Sequence, residues 1–224
     1  MKNFEDGQPL AAPDRGSPMK FPGAPYLLAA SYFDGYIDEA ARAAKSVGAA
    51  ALDRAAAILL EAHTRGGRVY SCGNGGSAAI ANHLQCDHMK NVRISTDLIA
   101  RVVSLSANVE VMTAIANDFG YEHVFVNQLQ WHAQPGDVLM AISSSGRSAN
   151  IIRALSWARD HGVRTIALTG FDGGEARRLA DVSIHVDTAN YGIIEDLHQV
   201  IMHALAQYIR QSRMTADVIL ASVF

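Results

Sequence analysis

Histidines and carboxylates on two predicted helices have the residue types and the spacing for metal or acid–base chemistry. His83 and Asp87 are four residues apart, so both lie on one face of their helix. A later helix carries four candidates, of which Glu195, His198 and, less closely, His203 share one side: Glu195, Asp196, His198 and His203. Two imidazoles and two carboxylates from two helices could form a four-ligand metal site, or an acid–base pair beside a substrate. A histidine–aspartate pair at this spacing is also common on exposed helix faces, so its surroundings must decide between these interpretations.

Two serine- and glycine-rich turns, Cys72–Ser77 and Ser143–Ser148, each connect an apolar strand to a helix. The start of a helix leaves backbone N–H groups unpaired, and the helix dipole adds partial positive charge there. Small residues let a ligand approach the backbone, and serine hydroxyls add hydrogen-bond donors. One such turn could be an ordinary tight connection, but four serines in six residues exceed what a turn needs. The two turns together predict a site for a phosphate group.

From residue 68 onward, predicted strands alternate with predicted helices, a pattern typical of a parallel sheet with right-handed crossovers. The predicted strands are Arg68–Cys72, Ala100–Leu105, Asp137–Ile142, Thr165–Thr169 and Val182–Val186. The predicted helices are Ser77–Lys90, Val109–Ala116, Glu122–His132, Ala149–His161, Glu175–Leu179 and Ile193–Arg210. We expect an α/β fold with one doubly wound five-stranded sheet, helices on both faces, and ligands outside the carboxyl ends of the strands. Asn117–Tyr121 and Gly170–Gly174 are predicted to be loops.

The N-terminal part of the chain has a different pattern. Residues 1–24 hold four of the six prolines and no periodic apolar pattern, so we expect a poorly ordered tail. Apolar residues recur at helical spacing from Tyr26 to His63, with a break at Val47–Gly48, which predicts a helical pair. We expect residues 25–224 to form a single domain.

The composition sets limits on partners and location. The chain has 224 residues, 49% hydrophobic and 18% charged, which favours a globular fold. A net charge of −3 gives no general attraction to nucleic acid or lipid, so we expect neither partner. Two cysteines do not form a disulfide framework, and no apolar run is long enough to span a membrane. Without an apolar secretory signal at its start, the protein is expected to be cytoplasmic.

Five segments form a recognisable series along the chain. They are Gly73–Ser77, the pair His83 and Asp87, Ala116–Tyr121, Ser143–Ser148 and Ala167–Gly174. In this order they resemble the sugar isomerase (SIS) domain family, and more narrowly the sedoheptulose-7-phosphate isomerases, also called phosphoheptose isomerases. The resemblance covers residues 26 to 210 and implies a flavodoxin-like strand order.

The resemblance implies an aldose–ketose isomerase that converts sedoheptulose 7-phosphate to glycero-manno-heptose 7-phosphate through an enediol. It also implies a homotetramer with active sites at subunit interfaces and one zinc ion per site. The zinc ligands that it implies are His83, Asp87, Glu195 and His203. It also implies a set of substrate-binding residues, most of which belong to the two turns: Asn74, Gly75, Ser77, Asp118, Ser143, Ser144, Ser145, Ser148, Asp172 and Glu195.

Two acidic residues depart from the family pattern. Asp87 stands where the family has a glutamate base, and it is shorter by one methylene. Glu195 stands where the family has glutamine, which adds a negative charge. The resemblance assigns Asp87 as the base that removes the carbon-bound proton and His203 as the acid that serves the oxygen. The residues alone leave these two roles exchangeable.

Two other functions compete with the heptose isomerase. One is isomerisation of another sugar phosphate, such as a pentose phosphate. The other is a non-catalytic SIS protein that binds a sugar phosphate or the bacterial replication initiator. No DNA-binding module or basic arm accompanies the domain, and His83 and His203 are both retained, which favours the enzyme.

Overall fold

A five-stranded parallel sheet forms the centre of the protein, in a computed structural model that describes residues 20–224. The strands run in the order β2-β1-β3-β4-β5. Because the strand order reverses between β1 and β3, the carboxyl ends of these two strands form the crevice where doubly wound sheets bind ligands. The predicted fold class and the flavodoxin-like order are confirmed. The strands are β1 (Arg68–Gly73), β2 (Arg101–Ser104), β3 (Val138–Ser143), β4 (Arg164–Thr169) and β5 (Val182–His185).

Helices cover both faces of this sheet. Within residues 20–224, no helix combines the length and the apolar character needed to cross a membrane. The helices are α1 (Ala29–Lys45), α2 (Ala49–Thr64), α3 (Gly76–Lys90), α4 (Val109–Phe119), α5 (Val126–His132), α6 (Ala149–Asp160), α7 (Ala176–Leu179), α8 (Tyr191–Gln211) and α9 (Ala216–Leu220).

The core has two layers because every central strand is buried on both faces. On β3, Met140 and Ile142 face one layer, which α2, α3 and α8 complete. Leu139 and Ala141 face the other layer, which α4 to α7 complete. The two helices that carry the predicted metal ligands, α3 and α8, therefore lie side by side on the same face of the sheet.

Three local predictions differ from the structure. The predicted loop Asn117–Tyr121 is partly helical, since α4 continues to Phe119 and ends at Gly120, whose φ is +99°. The predicted helix Glu122–His132 is divided into a 3-10 turn, Tyr121–His123, and the shorter α5. The short C-terminal helix α9 was not predicted, because its five residues carry too little periodicity.

The predicted helical pair forms α1 and α2, with the break at the expected place. Most of the predicted tail lies outside the described residues. The part that is described, with the residues that lead into α1, forms an irregular segment that we call the N-terminal arm (residues 20–28). The ring of Phe21 packs against three tyrosines, Tyr26, Tyr32 and Tyr36, so the arm is attached to the start of α1.

Candidate active site

The two serine- and glycine-rich turns lie next to each other because β1 and β3 are neighbours in the sheet. Asn74 and Asn150 join them through two reciprocal amide hydrogen bonds of 3.0 and 2.9 Å. The hydroxyl of Tyr121 donates a third hydrogen bond of 2.9 Å to Asn74 Oδ1. The side chain of Asn74 is therefore held in place before any ligand arrives.

A pocket of about 150 Å³ lies between the turns and the start of α8. Ser148 is the N-cap residue of α6, yet its side chain makes no capping hydrogen bond. Ser144 Oγ is buried and has no hydrogen-bond partner among the described residues. Two unused hydroxyls in the turn that leads into α6 provide donors for an anion. We call this the serine pocket, and it is lined by Asn74, Ser77, Ile142, Ser143, Ser144, Ser145, Ser148, Tyr191 and Glu195.

Glycine allows close approaches at two points around the serine pocket. Gly75 precedes α3 with a φ of +55°, a conformation that suits glycine. A Cβ at Gly76 would clash with the carboxylate of Glu195, so this carboxylate lies directly against the first turn of α3. Burial, followed by the neighbouring charge of Asp196, raises the pKa of Glu195. The serine pocket thus contains one carboxylate that is more easily protonated than usual.

A second group of polar side chains lies farther along α3 and α8. His83 Nε2 is 3.4 Å from Asp87 Oδ1, and His203 Nε2 is 3.4 Å from Asp87 Oδ2. The two imidazole Nε2 atoms are 3.2 Å apart. Donors around a tetrahedral zinc at about 2.1 Å lie about 3.4 Å from one another. The nitrogen and oxygen atoms of this cluster therefore fit three corners of a zinc site.

Glu195 is not part of this three-residue cluster. It precedes His203 by two helical turns, about 12 Å along α8, and its carboxylate lies in the serine pocket against Gly76. The four predicted metal ligands therefore do not meet within one chain: three of them do, and Glu195 lines the serine pocket instead.

Two amide side chains that the sequence did not single out contact the cluster. Gln199 Nε2 is 2.9 Å from His203 Nε2, and Asn91 Nδ2 donates a hydrogen bond of 3.1 Å to Asp87 Oδ1. Both residues stand four positions from the residue that they contact, a spacing that marks them as neighbours on one helix face. Rotation of its amide group would let Gln199 present either its nitrogen or its oxygen to the cluster.

Two predicted aspartates lie outside the serine pocket. Asp118 is exposed on α4, where its carboxylate accepts a hydrogen bond of 2.8 Å from Asn117. Asp172 forms an exposed ion pair with Arg147, and it lines a cleft beside the serine pocket. The hydrogen bond from Gly174 N, and then the charge of Arg147, lower the pKa of Asp172. Within one chain, neither aspartate reaches the pocket or the cluster.

This arrangement places hydrogen-bond donors suited to an anion near side chains suited to proton transfer. Along α3, Ser77 lines the serine pocket and His83 belongs to the cluster, a separation of about 9 Å. An acyclic molecule with a phosphate at one end can place its other end at the cluster. A buried carboxylate, Asp87, between two imidazoles can then move a proton.

Comparisons with known proteins identify the family to which the chain belongs. A family model described as the SIS domain matches residues 32–170. A phosphoheptose isomerase of Rhodospirillum rubrum is 38% identical over 157 residues, which are 70% of this chain and 83% of the relative.

Two solved structures have the same fold. The phosphoheptose isomerase of Neisseria gonorrhoeae is 34% identical with a TM-score of 0.74, and that of Francisella tularensis is 30% identical with a TM-score of 0.75. Each comparison covers 81% of this chain and 96% of the other. The chain belongs to the SIS domain family, and within it to the phosphoheptose isomerases.

Proposed function

We propose that the chain is an aldose–ketose isomerase that converts sedoheptulose 7-phosphate to glycero-manno-heptose 7-phosphate through an enediol. The observation that supports this best is that α3 and α8 carry both halves of the site. Their first turns line the serine pocket, and later turns carry His83, Asp87 and His203. The names of the relatives point to the same reaction.

The serine pocket binds the phosphate of the substrate in this proposal. Ser143, Ser144, Ser145 and Ser148 surround it with hydroxyl and N–H donors, while Asn74, Gly75 and Ser77 contact the sugar from the first turn. Binding the phosphate far from the reacting carbons fixes the position of those carbons at the cluster, which removes much of the entropy cost of reaction.

Asp87 and His203 move the protons. Asp87 removes the proton from one of the two reacting carbons and returns it to the other. His203 protonates the oxygen of the former carbonyl and takes up the proton of the hydroxyl that becomes the new carbonyl, so the oxygen protons balance. The hydrogen bond from Asn91 holds the Asp87 carboxylate in place for this transfer. Because His203 touches the same carboxylate, the two residues could also act in exchanged roles.

A zinc ion is held by His83, Asp87 and His203 in this proposal. The donor types and the separations of 3.2 to 3.4 Å support it. A bound zinc supplies a Lewis acid that stabilises negative charge on the substrate oxygen. Glu195 completes the coordination only if it comes from a neighbouring subunit, since it lies in the serine pocket of its own chain.

A homotetramer with active sites at the subunit interfaces is part of the proposal, and the exposed apolar side chains of α1 support it. Phe33 and Ile37, one turn apart, are 62% and 48% exposed. In this assembly Asp118 and Asp172, which lie outside the serine pocket of their own chain, contact the substrate that a neighbouring subunit binds. A cytoplasmic location stays a prediction.

A turnover assay tests the function most directly. The purified protein is incubated with sedoheptulose 7-phosphate after dialysis against a chelator, with and without added zinc. We expect turnover that depends on zinc. Ribose 5-phosphate serves as the comparison substrate, since the changes at Asp87 and Glu195 also suit a different sugar phosphate. Turnover of ribose 5-phosphate without turnover of sedoheptulose 7-phosphate would show that the chain isomerises a pentose phosphate instead.

A further inference from the structure

The serine pocket has an unfavourable charge for its proposed ligand. A phosphate monoester carries nearly two negative charges at neutral pH. The residues that line the pocket include the carboxylate of Glu195 and no lysine or arginine. Hydroxyl and backbone donors bind the phosphate oxygens but do not neutralise their charge.

A cleft next to the serine pocket provides cations. Ser145 and Tyr191 line both spaces, so the cleft, of about 480 Å³, is continuous with the pocket. Its two cations are Arg147 and Lys20. Arg147 is already paired with Asp172. Within residues 20–224, the ammonium group of Lys20 has no hydrogen bond or ion pair to another side chain.

The N-terminal arm is attached beside the cleft by specific contacts. Asn190 Nδ2 donates a hydrogen bond of 2.8 Å to the backbone oxygen of Phe21, while Asn190 Oδ1 caps the start of α8. Tyr36, which packs on Phe21, donates a hydrogen bond of 2.6 Å from its hydroxyl to Asp196 on α8. Lys20 precedes Phe21, so its backbone is held near the first turn of α8.

The arm precedes the part of the chain that the SIS family model matches, which begins at residue 32. We propose that Lys20 extends the phosphate site of this chain: its ammonium group binds the phosphate oxygens of the substrate from the cleft and sets a preference for dianionic, phosphorylated ligands. This inference rests on the proposed function for the identity of the substrate.

The experiment compares Lys20→Ala, Lys20→Arg and the control Lys45→Ala in the full chain. Lys45 is an exposed lysine at the end of α1 that lines none of the site. We expect Lys20→Ala to raise the KM for sedoheptulose 7-phosphate about three- to tenfold with kcat unchanged, since this contact is the same in ground and transition state. Lys20→Arg restores most of the loss, and Lys45→Ala has no effect.

Binding of inorganic phosphate, measured by calorimetry, separates this inference from the proposed function. Lys20→Ala should weaken phosphate binding by a similar factor, and added salt should reduce the difference between the two proteins. If no sugar phosphate is turned over but Lys20→Ala binds phosphate more weakly than the unchanged protein, the proposed isomerase activity is wrong and Lys20 keeps its role in phosphate binding. Equal phosphate affinities and equal KM values in Lys20→Ala and the unchanged protein would overturn the inference.

Discussion

At the scale of single residues, the Ser148 side chain is expected to bind phosphate without contributing to the stability of α6. Its hydroxyl makes no capping hydrogen bond in α6, so Ser148→Ala should leave the free energy of unfolding nearly unchanged. The loss of a hydrogen bond to a charged phosphate costs about 1.5–3 kcal/mol, which weakens binding by a factor of roughly 10 to 150. Calorimetry with inorganic phosphate measures the affinity, and urea denaturation measures the stability. Ser156→Ala, on the same helix, is the control, and equal affinities in both variants would remove Ser148 from the site.

Asp87 is the residue on which the chemistry depends. Asp87→Asn keeps the size of the side chain but removes its basicity, so kcat should fall by at least roughly a hundredfold. The affinity for the substrate should change little, because Ser77 in the serine pocket is nearly three helical turns, about 15 Å along α3, from Asp87. Kinetics and calorimetry on Asp87→Asn are compared with Asp53→Asn, an exposed position on α2. A variant with normal kcat would show that another group is the base.

Residue types made His83, Asp87 and His203 candidates, the resemblance assigned them to one group, and the structure brings them together. Gln199 and Asn91 were missed because glutamine and asparagine occur on many helix faces, and only the packing of α3 against α8 distinguishes these two. Glu195 was also a candidate by its residue type, and the resemblance assigned it to the metal. Its distance of two turns from His203 already made a shared ion difficult to reach within one helix.

At the level of elements, a buried histidine pair joins α2 to α3. His63 Nε2 and His88 Nδ1 are 2.9 Å apart, and neither side chain is exposed. Burial lowers the pKa of His63 to about 4, and burial together with the charge of His63 lowers that of His88 to about 3. Both histidines are therefore neutral in the folded protein at pH values where the same histidines in the unfolded chain, with a pKa near 6.5, bind protons.

The stability of the fold should accordingly fall in acid. The contribution of this pair is complete above about pH 6.5 and is lost progressively as the pH falls toward 4 and 3. Between pH 7.5 and 5.5 we expect this pair to lower the free energy of unfolding by about 3 kcal/mol, roughly 1.4 for each histidine. The buried His198, whose pKa burial also lowers to about 4, should add roughly 1.4 kcal/mol to the drop. Urea denaturation at fixed protein concentration measures this. His63→Gln should remove about a third of this pH dependence, and His132→Gln, at an exposed position, should remove none of it. A stability that is independent of pH would contradict the prediction.

The elements themselves were largely predictable. Apolar runs bounded by glycine and charged residues predicted all five strands within about a residue of their ends, since central parallel strands are apolar on both faces. The region between α4 and α5 was less predictable because Gly120, rather than Asn117, ends the helix. The sequence of Asn117 and Asp118 is typical of a turn, and tertiary packing outweighed that local preference.

At the level of the whole molecule, the exposed apolar face of α1 predicts assembly. A helix that leaves Phe33 and Ile37 in water gains stability when another subunit covers them. Sedimentation should give a tetramer at micromolar concentration, and the double change Phe33→Asp with Ile37→Asp should dissociate it. Trp131→Asp, at an exposed position on the opposite layer, is the control. A stable, fully active monomer would refute the assembly.

The turn Ser143–Ser148 is also held to the loop that follows β4. Gly170 N donates to Ser144 O at 2.8 Å, and Ala176 N donates to Gly146 O at 3.0 Å. Gly146, at a φ of +62°, touches Gly173 so closely that a side chain would not fit. The amides of Gly170 and Ala176 should therefore exchange slowly with deuterium in the ligand-free protein, and phosphate should add little protection. The cost in entropy of shaping this loop is met when the chain folds, so association with the phosphate requires no slow rearrangement.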